Sequence, residues 1–222
     1  MFFEAAQFPD FFGMYGGIIF NLGFTEAPGG AQYSNIQVLN DHTYCCEVSV
    51  DMCANGEPPL DQADTCRKFH EKRLTTRQQD ASRYNTPLFI SEFGACMDTQ
   101  SCVQEITSVT EVCDEHLTGW AYWQLKNFGD LTTTAGTSSE GFYNKDGSLQ
   151  QGKVKALSRT YLQMTQGDLV SMKFNSTNSN FYAKFSVDTS IQQPSVLYWS
   201  KAYYPLGFNF NLIDAQGNSL SM

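Results

Sequence analysis

Glu92 closes the run Leu88-Phe89-Ile90-Ser91-Glu92-Phe93-Gly94. A short apolar stretch entered through Pro87 and left through glycine predicts a buried strand that delivers one carboxylate where the backbone turns away. A glutamate in that place is otherwise a solvated side chain or the cap of a following helix. Two further stretches change the balance. Asp41-His42-Thr43-Tyr44 ends the run Ile36-Gln37-Val38-Leu39, and Gly119-Trp120-Ala121-Tyr122-Trp123-Gln124-Leu125 forms an aromatic strand downstream. A carboxylate held ionised by a nearby phenol can attack an electrophilic carbon. An indole beside it offers a flat apolar face, and an imidazole adds a polar contact, although a strand histidine is equally a satisfied core residue.

Those groups meet only if the strands run side by side. Three strands in series, each separated by enough residues for a helix, is the pattern of parallel βα units, and in a parallel barrel all strands end on one face. The spacing of Ala63, Cys66, Phe69 and Leu74 predicts a helix over Asp61 to Tyr84, with Phe69-His70-Glu71-Lys72-Arg73 as its solvated face. Val103, Ile106, Val109, Cys113 and Leu117 predict a second helix that Gly119 closes, and Val154, Leu157, Tyr161 and Met164 a third, capped by Gly167. Between the last two lies a loop, Lys126 to Gly147, long enough to gate a cleft. The aromatic loop Phe8 to Phe12 either lines a site or packs beneath the surface. Beyond Asp168 the period becomes twofold, at Val170, Met172 and Phe174, then Phe181, Ala183, Phe185 and Val187, then Phe208, Phe210 and Leu212. That change predicts antiparallel strands of a second module.

The order His42-x-Tyr44, Ser91-Glu92-Phe93-Gly94, Trp120-Ala121-Tyr122-Trp123 resembles the sixth, seventh and eighth strands of glycoside hydrolase family 5 barrels. The details are similar to endoglycoceramidases: Phe2-Phe3-Glu4, Leu22-Gly23-Phe24-Thr25 with Pro28-Gly29-Gly30, Asp41-His42-Thr43-Tyr44-Cys45, and Gly141-Phe142-Tyr143 with Asp146-Gly147. The resemblance implies an α/β chain. Residues 1–167 would form the C-terminal half of a (β/α)8 TIM barrel and 168–222 an incomplete antiparallel β-sandwich. Phe2-Phe3-Glu4 resembles the fifth strand, so the first four are expected to lie outside this chain.

What the resemblance implies for chemistry is retaining hydrolysis of the glycan–ceramide linkage of glycosphingolipids. Glu92 would be the nucleophile, Tyr44 its hydrogen-bond donor and His42 a support or a sugar contact. Trp123 would be the plate under the sugar, with Asp41 and Lys126 as further substrate-binding positions; Trp120, on the opposite side, would pack in the core. The family's acid/base residue sits in an Asn-Glu pair, and this sequence has none. Glu4, on a different strand, is not its substitute. General acid catalysis is worth roughly 100- to 10,000-fold, so this chain alone is expected to be nearly inert towards unactivated glycosides. The alternatives are another family 5 activity on β-glucosides or β-glucans, or an inactive carbohydrate-binding fragment.

A net charge of -9 over 222 residues, with no basic tract, excludes a nucleic-acid backbone as partner. The substrate implies peripheral contact with a lipid surface, and no apolar run reaches the ~18 residues of a transmembrane segment. The seven cysteines contain no Cys-x-x-Cys and find no second histidine at ligand spacing, so neither a metal nor a cofactor is expected. Disulfides of Cys45 or Cys46 with Cys53 or Cys66 are the better use, and an odd count leaves one thiol over. With the sequon Asn175-Ser176-Thr177, the cysteines point to a secreted or lysosomal lumen.

Overall fold

The computed structural model describes residues 1–4, 22, 24–49, 51–54, 56–94, 96–126, 128, 134–135 and 138–220. The Phe8 to Phe12 loop lies outside the described residues, as do positions 127, 129–133 and 136–137 of the long loop. Four strands form one sheet in chain order, each parallel to the next: β1 (Phe2–Glu4), β2 (Val38–Thr43), β3 (Leu88–Phe93) and β4 (Gly119–Trp120). Helix α1 (Ala63–Tyr84) connects β2 to β3, and α2 (Gln100–Glu115) connects β3 to β4. The result is the partial (β/α) barrel that the sequence predicts.

Helix ends follow local chemistry. Asn85 takes the left-handed conformation after α1 (φ 52, ψ 45) and returns its N–H to the carbonyls of Ala81 and Ser82. Thr99 opens α2 by accepting the Cys102 N–H at 3.1 Å. Gly119 is not the stop of α2: the helix ends at Glu115 and Leu117 carries the positive φ of 50. Gly119 belongs to β4, where an added Cβ would lie 2.9 Å from the Phe89 ring.

One face of the sheet packs on α1 and α2 through Leu39, Leu88, Ile90, Phe93, Leu74, Ile106, Val109 and Val112. Register matters more than composition here. Asp41 pairs with Ile90 and His42 with Glu92, so Ser91 is the extra residue of a β-bulge. Strict alternation would send Ile90 and Glu92 to the same side. The bulge lets Ile90 and Phe93 both bury against the helices while Glu92 takes the other face, opposite His42. Just beyond, Gly94 (φ 111) lets the Tyr122 ring pass where a Cβ would be 2.1 Å from it.

The α1 stretch Phe69 to Arg73 is a correction. His70 is fully buried and Arg73 almost so, leaving Glu71 and Lys72 on the outer side. The His70 Nδ1 lies 2.7 Å from the Thr43 hydroxyl and its Nε2 2.8 Å from Glu105. Charged side chains here pay their desolvation by pairing across the helix–sheet interface, a polarity that helical spacing alone does not reveal. Arg73 serves two carboxylates, Asp41 and Glu47. Asp41 has Arg77 as well, at 3.0 Å, whereas Glu47 shares its guanidinium. Burial dominates at Glu47 and pushes its carboxyl up to about 7.

Downstream, Thr134–Ala135 (β5) and Ser138–Ser139 (β6) form a short antiparallel pair. Helix α3 (Gln151–Leu157) is shorter than expected. Tyr161 and Met164 are not its continuation but lie in β7 (Tyr161–Met164), which pairs antiparallel with β10 (Val196–Tyr198). The apolar i, i+3 spacing that suggested a helix is met instead by a strand whose Tyr161 ring packs 5.2 Å from Tyr198. Gly167 is then a turn residue, not a helix cap: a Cβ there would come 1.9 Å from the Ser186 carbonyl oxygen. β8 (Leu169–Phe174) and β9 (Phe181–Phe185) make a third antiparallel pair. The alternation at Phe208, Phe210 and Leu212 forms no strand; Phe208 packs on Trp199 and Tyr204 instead. Arg159 joins this part to the barrel by pairing with Asp114 of α2 and lying over the Phe174 ring.

Two consequences are measurable. A folded-state carboxyl near 7, against an ordinary 4.5, adds stability that is complete below about pH 4.5 and disappears as pH rises through 7. The thermal midpoint of the wild type relative to Glu47→Gln is therefore expected to be higher at about pH 5 than at about pH 8; an equal difference at both pH values would refute the assignment. Gly94→Ala should cost about 2–5 kcal/mol in denaturant unfolding, combining overpacking against Tyr122 with a strained φ.

Candidate active site

The site is built at the carboxyl ends of β1 to β3 and the segment after β4. Tyr44, one residue past β2, donates its hydroxyl to Glu92 Oε2 at 2.9 Å. His42 Nδ1 lies 3.4 Å from the same oxygen, and its Nε2 lies 3.4 Å from Glu4 Oε2. Asn40 also donates to Glu4 Oε2. His42 thus stands between carboxylates of the two strands that flank its own. Adjacent strands lie ~4.8 Å apart, so Glu4 and Glu92 are separated by two such steps. The sequence gives no reason to place Glu4 near Glu92; the structure makes it the second partner of His42.

Burial and the charge of Glu92 raise the Tyr44 phenol far above its ordinary range, so it remains a neutral donor at any working pH. A phenol fixed on one carboxylate oxygen leaves the other free to act. Glu92 keeps partial exposure, with 28% of its side chain open.

Trp123 reaches this end through its backbone. Its N–H donates to the Phe93 carbonyl at 3.0 Å, and it bridges to Gly94 in parallel register. Its side chain donates a hydrogen bond to Glu140. The charge of Glu140 adds a smaller contribution to raising the Tyr44 phenol, after burial and Glu92. The segment carrying Glu140 is pinned from below. The Tyr122 hydroxyl donates to its carbonyl at 3.1 Å, and the buried Lys153 ammonium donates to the carbonyls of Cys96, Glu140 and Gly141 at 2.7, 3.2 and 3.0 Å. Burial pulls Lys153 down to about 8.

Three disulfides frame the rim: Cys45–Cys66, Cys46–Cys53 and Cys96–Cys102. The first two are among the pairings open from sequence, the third was not foreseen, and Cys113 is the leftover thiol, buried. Glu57 steadies the same rim by accepting from the Met97 N–H and the Thr99 hydroxyl.

Of the residues expected to bind substrate, Asp41 is corrected. It is wholly buried and receives Arg73 at 2.9 and 3.0 Å and Arg77 at 3.0 Å. Alternation along β2 explains it: if His42 faces the cleft, Asp41 and Thr43 must face α1. Lys126 is exposed, with its ammonium 5.0 Å from the Phe128 ring centroid, and has no hydrogen bond or ion pair to the Glu92 group among the described residues. Glu140 is the residue that sequence reading missed. Its one signal was a carboxylate directly ahead of Gly141-Phe142-Tyr143. A separate apolar cavity of about 700 Å³, lined by Phe89, Trp120, Phe142, Leu157, Leu162 and Met172 among others, does not include Glu92.

Comparison with known proteins agrees with this geometry. Residues 26–129 match the family model "Cellulase (glycosyl hydrolase family 5)", and residues 159–220 match the glycoside hydrolase family 5 C-terminal domain. An endoglycoceramidase of Cyanea nozakii is 26% identical over 192 residues, covering 86% of this chain and 34% of the relative. Endoglycoceramidase I of Rhodococcus hoagii is 31% identical over 151 residues, covering 67% of this chain and 26% of the relative. Among solved structures, endo-glycoceramidase II from Rhodococcus sp., in its lactosyl-enzyme intermediate, superposes with a TM-score of 0.54 at 18% identity, over 76% of this chain and 33% of that one. The chain spans about a quarter to a third of the length of these relatives. Parallel sheet, strand-end carboxylate and matched C-terminal unit lead to one assignment: the chain belongs to glycoside hydrolase family 5 and is endoglycoceramidase-like within it.

Proposed function

We propose that this chain supplies the nucleophile half of a retaining glycoside hydrolase that cleaves the linkage between glycan and ceramide in glycosphingolipids. The observation that carries the reading is the Tyr44 hydroxyl on Glu92 Oε2 at 2.9 Å, with His42 against the same oxygen. Glu92 attacks the anomeric carbon and forms a covalent glycosyl–enzyme ester, which water then hydrolyses. Tyr44 fixes the carboxylate in rotation through one oxygen, and His42 supports it or meets a sugar hydroxyl. Trp123 offers the apolar face of its indole to the sugar ring. Lys126 remains a candidate for contact with the outer part of the substrate.

Retaining chemistry needs a proton donor ~5 to 5.5 Å from the nucleophile. In the family that donor belongs to an Asn-Glu pair, which this sequence does not contain. The full activity is therefore assigned to a protein that also carries that half. The endoglycoceramidase names of the relatives support the glycosphingolipid substrate. A lipid-bearing substrate brings peripheral contact with a membrane or micelle, and no described helix is long and apolar enough to cross a membrane. Three disulfides favour a secreted or lysosomal lumen. The cellulase description of the matched family model favours a second reading, hydrolysis of β-glucans or simple β-glucosides.

In the full-length protein, which carries both halves, turnover of glycosphingolipid should fall by at least about a thousandfold in Glu92→Gln. Retained turnover in that variant sinks the assignment, whereas shortened glucans in place of intact oligosaccharide and ceramide establish the second reading. Tyr44→Phe should lower kcat by about tenfold to a hundredfold with little change in KM, because a charge-assisted hydrogen bond to the nucleophile is lost.

A further inference from the structure

The turn Tyr204-Pro205-Leu206-Gly207 holds an apolar side chain wholly in the open. The Gly207 N–H donates to the Tyr204 carbonyl at 3.1 Å, and proline second with glycine fourth is a common β-turn sequence. Leu206, third in the turn, is 99% exposed. A single exposed leucine is ordinary on a protein surface; one at the tip of a turn collared by aromatic rings is not. The Phe208 ring lies 5.2 Å from Trp199 and 5.5 Å from Tyr204, between centroids, and Trp199 and Phe208 keep an open outer side. The exposed Phe210 ring continues the patch, 6.5 Å from Phe208. The turn cannot retract to cover its leucine. Tyr203 is buried against Phe174, with centroids 4.8 Å apart, and the Tyr204 hydroxyl donates to the Ser179 carbonyl at 2.7 Å while accepting from Thr160 at 3.2 Å.

Charge restricts what can meet this surface. The chain carries -9, yet from Thr189 to Ile213 it has no aspartate or glutamate and a single cation, Lys201. A partner recognised through charge finds almost nothing to pair with there. A phospholipid surface does not need such pairs: it takes an apolar tip into its acyl boundary and aromatic rings at the level of its headgroups. A further strand added to either antiparallel pair would lie along a strand edge and leave the tip of a turn uncovered.

We propose that this turn is a membrane-docking element: Leu206 enters the acyl boundary of a phospholipid surface, the Trp199 and Phe208 rings rest among the headgroups, and Tyr204 braces them from within. The proposal rests on the glycosphingolipid reading and deepens it, because it names the surface by which the enzyme would hold the membrane that carries its substrate.

Flotation of the full-length protein with phosphatidylcholine vesicles containing glycosphingolipid tests this. Leu206→Asp should lower partition into the vesicles about tenfold to a hundredfold, the factor for one leucine side chain withdrawn from an apolar phase. Leu206→Trp should bind at least as well as the wild type, and added salt should not release either. Turnover of the embedded glycosphingolipid should fall with partition in Leu206→Asp, while hydrolysis of a soluble aryl glycoside and the thermal midpoint stay as in the wild type. Equal partition of wild type and Leu206→Asp, or no partition of the wild type, overturns the proposal. A lowered thermal midpoint in Leu206→Asp overturns it too, by showing that the rest of the full-length chain covers the turn. A wild-type dimer in sedimentation that Leu206→Asp dissociates overturns it in favour of a second copy. Glu92-dependent turnover with partition indifferent to Leu206 rejects the docking surface alone; Leu206-dependent partition without glycosphingolipid turnover rejects the enzymatic reading and leaves the docking surface standing.

Discussion

A single unpaired residue in β3 decides what this molecule can do. Strand alternation is rigid, so the side chain two positions after a buried isoleucine belongs to the helix-covered face. Were the β2–β3 ladder regular, Glu92 would point into the apolar layer beside Val109 and Ile106, where a carboxylate has no solvation. The bulge at Ser91 changes the phase by one residue. Phe93 inherits the buried side and Glu92 turns to the cleft, level with His42 and within reach of Tyr44.

Holding β2 in the matching phase falls to a layer of buried charge. Asp41 receives two guanidinium groups from α1, and Thr43 contacts His70, which in turn meets Glu105 of α2. Breaking a buried pair by removing one member is costlier than never burying it, so this layer resists slippage of the strand against the helix. A one-residue slip would expose Asp41 and Thr43 and bury His42 and Tyr44. The polar layer behind the sheet and the reactive group in front of it are two readouts of the same alternation.

The sequence showed most of this order and hid particular parts of it. Parallel βα succession was legible because helical and apolar runs alternate over lengths that suit crossovers. The buried positions Leu88, Ile90 and Phe93, spaced two and then three, mark the bulge in the structure, but in the sequence the apolar Phe89 beside them hides that spacing. Asp41 was misread because a motif was taken as one block, although neighbouring strand residues face opposite ways. His70 and Arg73 were misread because polar residues on a helix are normally solvated, and only their partners on β2 and α2 account for their burial. Tyr161 and Met164 fit helical spacing equally well as a strand; pairing with Val196–Tyr198, more than thirty residues on, decided between them. Glu140 gave little local signal beyond its place ahead of Gly141-Phe142-Tyr143, because its partners come from the segment after β4 and from α3.

The covalent cross-links are unevenly distributed. All three join segments at the carboxyl ends of the strands, spanning 21, 7 and 6 positions, and none reaches the antiparallel strands that follow α3. That later part is tied to the barrel by noncovalent contacts, centred on Arg159 between Asp114 and Phe174. Thiol chemistry in the surroundings thus has purchase on the mouth of the cleft alone, and the two halves of the chain answer to different stresses: one to electron donors, the other to whatever competes for a guanidinium.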